Sequence, residues 1–304
     1  MKNRGYIVHL AGVTAMIFWG LSFIWTKQIL DQHLNPTTTI FLRLVIATIF
    51  FTTILFVFRL NEKVKREHLG LFALAAMFEP FLYFIFETYG IYNTSEITSS
   101  SIIAMIPLVT PIAATIFLKE KLTLMNIVGL IVSFPGVILI LLNKDSKFVT
   151  SPLGLIFLFS AVLVAVCYSL ALMKLTKLYK PLTITWVQNI IGMIYFIPVM
   201  IIMEQFEPSN FENFSNVIMP LVYLGVFCSA ISYALWAFAF SKLGATKANV
   251  YSNLIPVFTA IFSFILGTKE VTDNNGDITN KVIGIVIVVV GLFLSQLKKK
   301  EAKA

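Results

Sequence analysis

The chain alternates between long apolar runs and short polar intervals. Ten runs, near residues 7–26, 37–58, 70–91, 97–118, 123–142, 152–173, 182–203, 217–240, 246–267 and 282–297, have the length to cross hydrocarbon as helices. Water is absent at that depth, so peptide groups must be satisfied within each segment and an all-helical bundle follows. The pattern predicts an all-α integral membrane protein with ten transmembrane helices, arranged as two inverted five-helix repeats.

The repetition is visible in the order of polar and special residues. Ile106-Pro107 returns as Ile255-Pro256, Lys119-Glu120 as Lys269-Glu270, and the pair Gly129 and Gly136 as Gly284 and Gly291. Both glycine pairs are seven steps apart, whereas Glu120 to Gly129 is nine steps and Glu270 to Gly284 is fourteen. The second copy therefore carries a polar insert, around 272–280, at a loop, where extra residues cost least. Pro36 and Pro181 each open a span, with Arg43 and Gln188 seven residues later, and Tyr83 falls in the register of Tyr233. The expected division is a first repeat over 1–145, a second over 150–298 and a basic tail over 299–304. Five spans per copy reverse the second copy in the bilayer, the arrangement secondary transporters use to expose one site to each side in turn.

Composition supports the membrane reading: of 304 residues, 58% are hydrophobic and only 12% charged. The net charge of +8 is not a nucleic-acid signal, because the basic residues alternate by loop. Seventeen of the 23 Lys and Arg fall in one set of loops with both termini, five in the other set, and Arg43 lies within a span. By the positive-inside rule both termini are cytoplasmic, in a multi-pass protein of the bacterial cytoplasmic (inner) membrane. Lys2 and Arg4 precede an apolar run as in a signal peptide, but its length, Trp19 and Trp25 favour a retained span. Cys167 and Cys228, both inside predicted helices, imply no disulfide framework.

The Trp-Gly-x-Ser-Phe run at Trp19 to Phe23, the proline-bearing fourth span, and Lys-Glu-Lys-Leu-Thr followed by Gly-x6-Gly from Lys119 to Gly136 resemble the EamA type of the drug/metabolite transporter superfamily. The resemblance runs over about residues 7–297. It implies ten helices in two inverted repeats, a central cavity, and movement of small metabolites, often amino acids and frequently outward. Glu120 matches the family's glutamate at a cytoplasmic turn, where a capping or pairing role is expected.

Charged groups within hydrocarbon cost a few kcal/mol and ask for a reason. Glu79 lies near the middle of the third span, and Glu79, Tyr83 and Glu87 follow at i, i+4 and i+8 on one helical face. The functional reading makes Glu79 a proton acceptor coupled to solute movement; the structural one makes it a hydrogen-bonded glutamate before a kink at Pro80. Arg43 and Glu87 lie at matching depths, about 9 and 6 Å from the outer face at 1.5 Å per residue. They are expected to pair, in a structural or gating role.

Pro107, Pro111 and Pro256 remove backbone donors and are expected to break their helices. Ser99, Ser100 and Ser101 precede the first break, and Asn249, Ser252 and Asn253 the second. A solute's ammonium or carboxylate could be met there; interhelical hydrogen bonding is the structural alternative. Trp19, Tyr83, Tyr168, Tyr233 and Trp236 are candidates for a pocket wall or for packing. The candidate substrate-binding set is thus Trp19, Glu79, Tyr83, Ser100, Tyr168, Tyr233, Trp236 and Asn253, with Arg43 and Glu87 beside it.

Walker A, dinucleotide and HExxH motifs are absent, and His9, His33 and His68 have no ligand spacing. Asp273 to Asp277 lacks the spacing and the terminal glutamate of a calcium loop. No cofactor, metal, enzymatic activity or nucleic-acid partner is expected; the partners are a small solute and the bilayer, and the sequence specifies no oligomeric state. The reading is a secondary transporter of small metabolites, exporting amino acids or related compounds by alternating access, coupled to protons or to another gradient, with the coupling ion left open by the sequence. The rivals are a membrane-embedded enzyme acting on a lipid or isoprenoid, which would need acids or metal ligands gathered at one face, and a passive metabolite channel.

Overall fold

The computed structural model describes residues 5–60, 62–118, 124–142, 151–212, 214–244, 248–273 and 278–295. The Lys119-Glu120 turn, Lys121, residues 274–277 of the polar insert and the basic tail lie outside the described residues. Within them every regular element is helical. The helices are α1 (Gly5–Leu30), α2 (Pro36–Val57), α3 (Leu69–Ala76), α4 (Tyr83–Tyr92), α5 (Glu96–Ile103), α6 (Ile106–Leu118) and α7 (Leu124–Leu141), then α8 (Pro152–Leu175), α9 (Pro181–Phe206), α10 (Phe214–Tyr223), α11 (Ser232–Leu243), α12 (Ile255–Leu266), the short α13 (Lys269–Asp273) and α14 (Ile278–Ser295). Taken with their continuations, eight are long and apolar enough to cross a membrane. Two apolar helices, Val250–Leu266 and Ile278–Leu294, are shorter.

Local chemistry sets many of the boundaries. Proline opens α2, α8 and α9, where its missing N–H is one the helix would leave unpaired anyway. Asn35 caps α2 by accepting from the Thr37 N–H at 2.8 Å. Gly244 and Gly267 end α11 and α12 at positive φ, 76° and 59°, a conformation a Cβ would disfavour.

The breaks carry the functional interest. Between α3 and α4 the chain widens into a π-type turn, Met77–Leu82, and Glu79 adopts φ −146°, ψ 119°, extended rather than helical. The cause is local: the residue before a proline is pushed out of the helical region, and Pro80 brings no N–H. A second π-type turn, Leu224–Ile231, joins α10 to α11 at the corresponding place in the second half. The fourth segment breaks at Ala104 and Met105, one turn before Pro107, and the ninth passes through a 3-10 turn, Val250–Leu254, before Pro256. Both prolines thus sit in the first turn of the helix that follows the break. Pro111 is different: α6 runs through it without interruption, so the break expected there does not occur.

Packing relates the halves. α1 lies against α11 as α8 lies against α4; α2 touches the second π-type turn as α9 touches the first; α1 meets α12 as α8 meets α6. Two pairs, α2 with α9 and α7 with α14, join equivalent helices, and α7 with α14 is the most extensive contact in the molecule. There the repeated glycines face each other: a Cβ on Gly136 would stand 2.7 Å from the Gly284 carbonyl oxygen, and one on Gly284 2.6 Å from the Gly136 oxygen. Small residues let helix backbones approach this closely in hydrocarbon, where dispersion and packing drive association. The outer surface carries large exposed apolar side chains such as Phe56, Ile131, Phe134, Ile156 and Ile265, while Arg43, Glu79 and Glu87 are buried. This polar-in, apolar-out distribution suits a lipid solvent.

Candidate functional site

The first π-type turn and the two broken helices converge on a cavity between the halves, and the second π-type turn touches it only through the Ser229 hydroxyl that holds Arg43. The first half contributes Trp19, Ser22, Arg43, Glu79, Tyr83, Phe84 and Glu87, and the second contributes Tyr168, Ser169, Tyr233, Trp236, Asn249 and Ser252. The space open to water is about 50 Å³. A single water needs roughly 10–15 Å³ by the same measure, so the cavity holds a few waters and no metabolite in this conformation. A side branch of about 10 Å³ continues past Pro80 to Thr185, Gln188 and Asn189.

Each charged group is held by a neutral polar partner. The Tyr233 hydroxyl donates to Glu79 Oε1, joining α11 to the first π-type turn. The Tyr83 hydroxyl donates to Glu87 Oε1 at 2.8 Å along α4, as the i, i+4 spacing requires. Arg43 Nε donates to the Ser229 hydroxyl at 2.8 Å, and its guanidinium carbon stands 4.1 Å from the centre of the Phe84 ring. The direct Arg43–Glu87 ion pair expected from their depths is not made: among the described residues no ion pair joins them, although both line the same cavity. Depth fixes height along the membrane normal but not the angle around a helix axis. The second π-type turn places Ser229 where Glu87 was expected.

Aromatic side chains form one wall. Trp19 packs with ring centres 5.0 Å from Tyr233 and 5.6 Å from Trp236, and its indole N–H donates to the Cys228 carbonyl at 3.2 Å. On the opposite wall the Tyr168 hydroxyl donates to Gln188 Oε1 at 3.3 Å, and Gln188 Nε2 donates to the Glu79 carbonyl at 3.2 Å. Gln188 thus braces the backbone at the helix break, from the position that corresponds to Arg43 in the other repeat.

Six of the eight candidate substrate-binding residues, Trp19, Glu79, Tyr83, Tyr168, Tyr233 and Trp236, line this cavity, together with Arg43 and Glu87. Ser100 does not. It is fully buried and its hydroxyl donates to the Ile97 carbonyl at 3.0 Å, closing its own helix turn. Asn253 also lies away from the cavity wall, buried, with Oδ1 lacking a hydrogen-bond partner. Its neighbours Asn249 and Ser252 line the cavity instead, and Asn249 Nδ2 donates to Thr110 Oγ1 at 3.2 Å. Sequence reasoning missed Ser22 and Ser169. The signal was available for Ser22, one turn beyond Trp19 on the same face; Ser169, next to Tyr168, carries none. No cluster of three or more metal-ligating side chains occurs among the described residues.

A helical membrane protein whose halves meet around a small, charged and aromatic cavity belongs to the class of multi-pass transporters. The model of the EamA-like transporter family matches this chain twice, over residues 6–142 and 152–297, and the chain belongs to that family. It is similar to an uncharacterized transporter of Archaeoglobus fulgidus, 26% identical over 285 residues covering 93% of this chain and 96% of the relative. The uncharacterized transporter YyaM of Bacillus subtilis is 25% identical, covering 96% and 93%. The uncharacterized inner membrane transporter YhbE of Escherichia coli is 26% identical, covering 88% and 83%. A solved crystal structure shares the fold with a TM-score of 0.65 at 15% identity, over 95% of this chain and 98% of that one.

Proposed function

We propose that this protein is a secondary active transporter that moves a small amino-bearing metabolite, an amino acid or related compound, outward by alternating access. The observation that carries the reading is the charge set of the cavity: two carboxylates, Glu79 and Glu87, face one guanidinium, Arg43, each taken from water. One further positive charge neutralises the set. A proton or the ammonium of a solute can supply it, and competition between the two couples their movements in opposite directions. Glu79 is the proton site in this reading, because it alone sits at a helix break and joins the halves through Tyr233.

Ten crossings in two inverted repeats, over about 1–145 and 150–298, fit the reciprocal packing of the helices. The paired helix breaks supply hinges on which the halves can move. A bacterial inner membrane with both termini, and the basic tail 299–304, in the cytoplasm follows from the distribution of Lys and Arg and agrees with what the name of YhbE says of that relative.

The test is flux of labelled amino acids in proteoliposomes with and without an imposed pH gradient. Wild-type protein should give saturable flux that the gradient accelerates, and Glu79→Gln flux that the gradient no longer changes. Gradient-dependent flux in Glu79→Gln would remove Glu79 from the coupling. Flux in the wild type that neither saturates nor responds to the gradient would favour the channel reading.

A further inference from the structure

At one end of the bundle α2 and α8 finish and α3 and α9 begin, and the two connecting segments are locked together. The Tyr179 side chain is buried between them. Its hydroxyl accepts from the Lys65 N–H at 3.0 Å and lies 2.7 Å from His68 Nδ1, and its ring centre stands 5.1 Å from that of Phe72. Glu62 Oε2 accepts from the Lys180 N–H at 3.0 Å. Residues 59–68 and 174–180 therefore present one surface rather than two separate loops. Together they hold seven Lys and Arg against two Glu.

Both acids are occupied within the surface. Glu62 takes the Lys180 N–H, and Glu67 lies 3.5 Å from Lys65 and 3.7 Å from His68. Arg59, Lys63, Arg66, Lys174, Lys177 and Lys180 are exposed, and none is in an ion pair among the described residues. Arg59 is also held in an unusual backbone. It ends α2 at φ 52°, while the Leu60 N–H returns to the Leu55 carbonyl at 3.0 Å. Glycine is what that helix ending favours, as at the ends of α11 and α12, and here the chain places a cation instead. Beside the cations stand the exposed side chains of Phe56, Phe58, Leu60 and Leu178. Fixed positive charge next to exposed apolar side chains, at the ends of membrane spans, is complementary to an amphiphile with an anionic headgroup. A nucleic acid or an acidic peptide would leave the apolar side chains unused.

We infer that this surface binds anionic phospholipid, with the headgroup phosphate on the unpaired cations and the acyl chains along α2 and α9. The inference is independent of what the protein transports and is tested without transport, so either can fail alone. Trp186, in the second turn of α9, is half-buried and donates from Nε1 to Thr52 Oγ1 on α2 at 3.0 Å, so it reports on this end of the bundle. Purified full-length protein is reconstituted in phosphatidylcholine containing either brominated phosphatidylglycerol or brominated phosphatidylcholine at equal mole fraction, and quenching of Trp fluorescence is measured. Phosphatidylglycerol should quench as though bound at least about fivefold more tightly than phosphatidylcholine, the contribution of about one cation at a membrane surface. The excess should vanish in Trp186→Phe, and also in the combined variant Lys63→Gln, Lys177→Gln, Lys180→Gln. Arg59→Gly, which suits the backbone at that point, should lower the preference without lowering the apparent Tm. Equal quenching by the two lipids, an excess that survives the combined variant, or an excess unchanged in Trp186→Phe would overturn the proposal. So would loss of the excess on adding inorganic phosphate at constant ionic strength, which would mark a site for the free anion.

Discussion

Gly136→Ala tests whether the contact between the equivalent helices α7 and α14 organises the molecule. The added methyl would lie 2.7 Å from the Gly284 carbonyl oxygen, 2.9 Å from the Val288 nitrogen and 3.0 Å from Ile287 Cβ. Two of these three are backbone atoms and cannot rotate away. An ordinary carbon–oxygen approach is about 3.3–3.6 Å, so the helices must part by roughly 0.6 Å. A gap of 0.5–1 Å forfeits about a quarter to a half of each dispersion contact along the seam. Overpacking of this kind costs about 1–3 kcal/mol. At about 2–4 °C per kcal/mol the apparent Tm in detergent should fall by roughly 2–12 °C. Gly70→Ala is the control, since nothing lies within 4 Å of a Cβ there. Adding Gly284→Ala to Gly136→Ala should cost less than the two separately, because the first displacement makes room for the second methyl. A Gly136→Ala protein as stable as Gly70→Ala would refute the close approach of the two backbones.

Two further substitutions probe the polar interior. Ser229→Ala strands Arg43 Nε, whose recorded hydrogen bond is to that hydroxyl; the loss should be about 1–3 kcal/mol, read as a lower apparent Tm, with Ser229→Thr restoring most of it. Lys281→Met leaves Glu270 without its cation in a pair whose side chains are 12% and 3% exposed. Glu270 keeps the Ile97 N–H, so the cost should sit near the lower end of the roughly 3–5 kcal/mol for breaking a buried pair; the double variant Lys281→Met, Glu270→Gln should be milder than Lys281→Met alone.

How much of this was legible in the sequence depends on which coordinate a residue pattern encodes. Apolar run length encodes position along the membrane normal, and every expected span has a helical counterpart, although two are shorter and several run past the expected ends. Periodicity within a span encodes relative angle, so Tyr83 and Glu87 meet as their spacing says. Repetition encodes symmetry, and the duplicated glycines prove to be each other's neighbours. What none of these encodes is the absolute rotation of one helix against another. Arg43 and Glu87, placed at matching depths by residue counting, find different partners, and Ser100 turns its hydroxyl back onto its own helix.

The space enclosed by the C-terminal end of α1, the start of α5 and the α12–α13 turn was invisible for a related reason. Glu96 and Thr268 are 172 positions apart and match no motif; they are neighbours only because the turn after α12 folds over the start of α5. The same turn brings Glu270 onto the N-terminus of α5, where a carboxylate is favoured by the helix dipole and by the free Ile97 N–H. Repeat arithmetic makes Glu270 the counterpart of Glu120, and the insert that lengthens the second copy begins only after Glu270. The longer loop therefore leaves the capping carboxylate in register and adds its residues beyond it. Lys281, just after the insert, can fold back to neutralise Glu270.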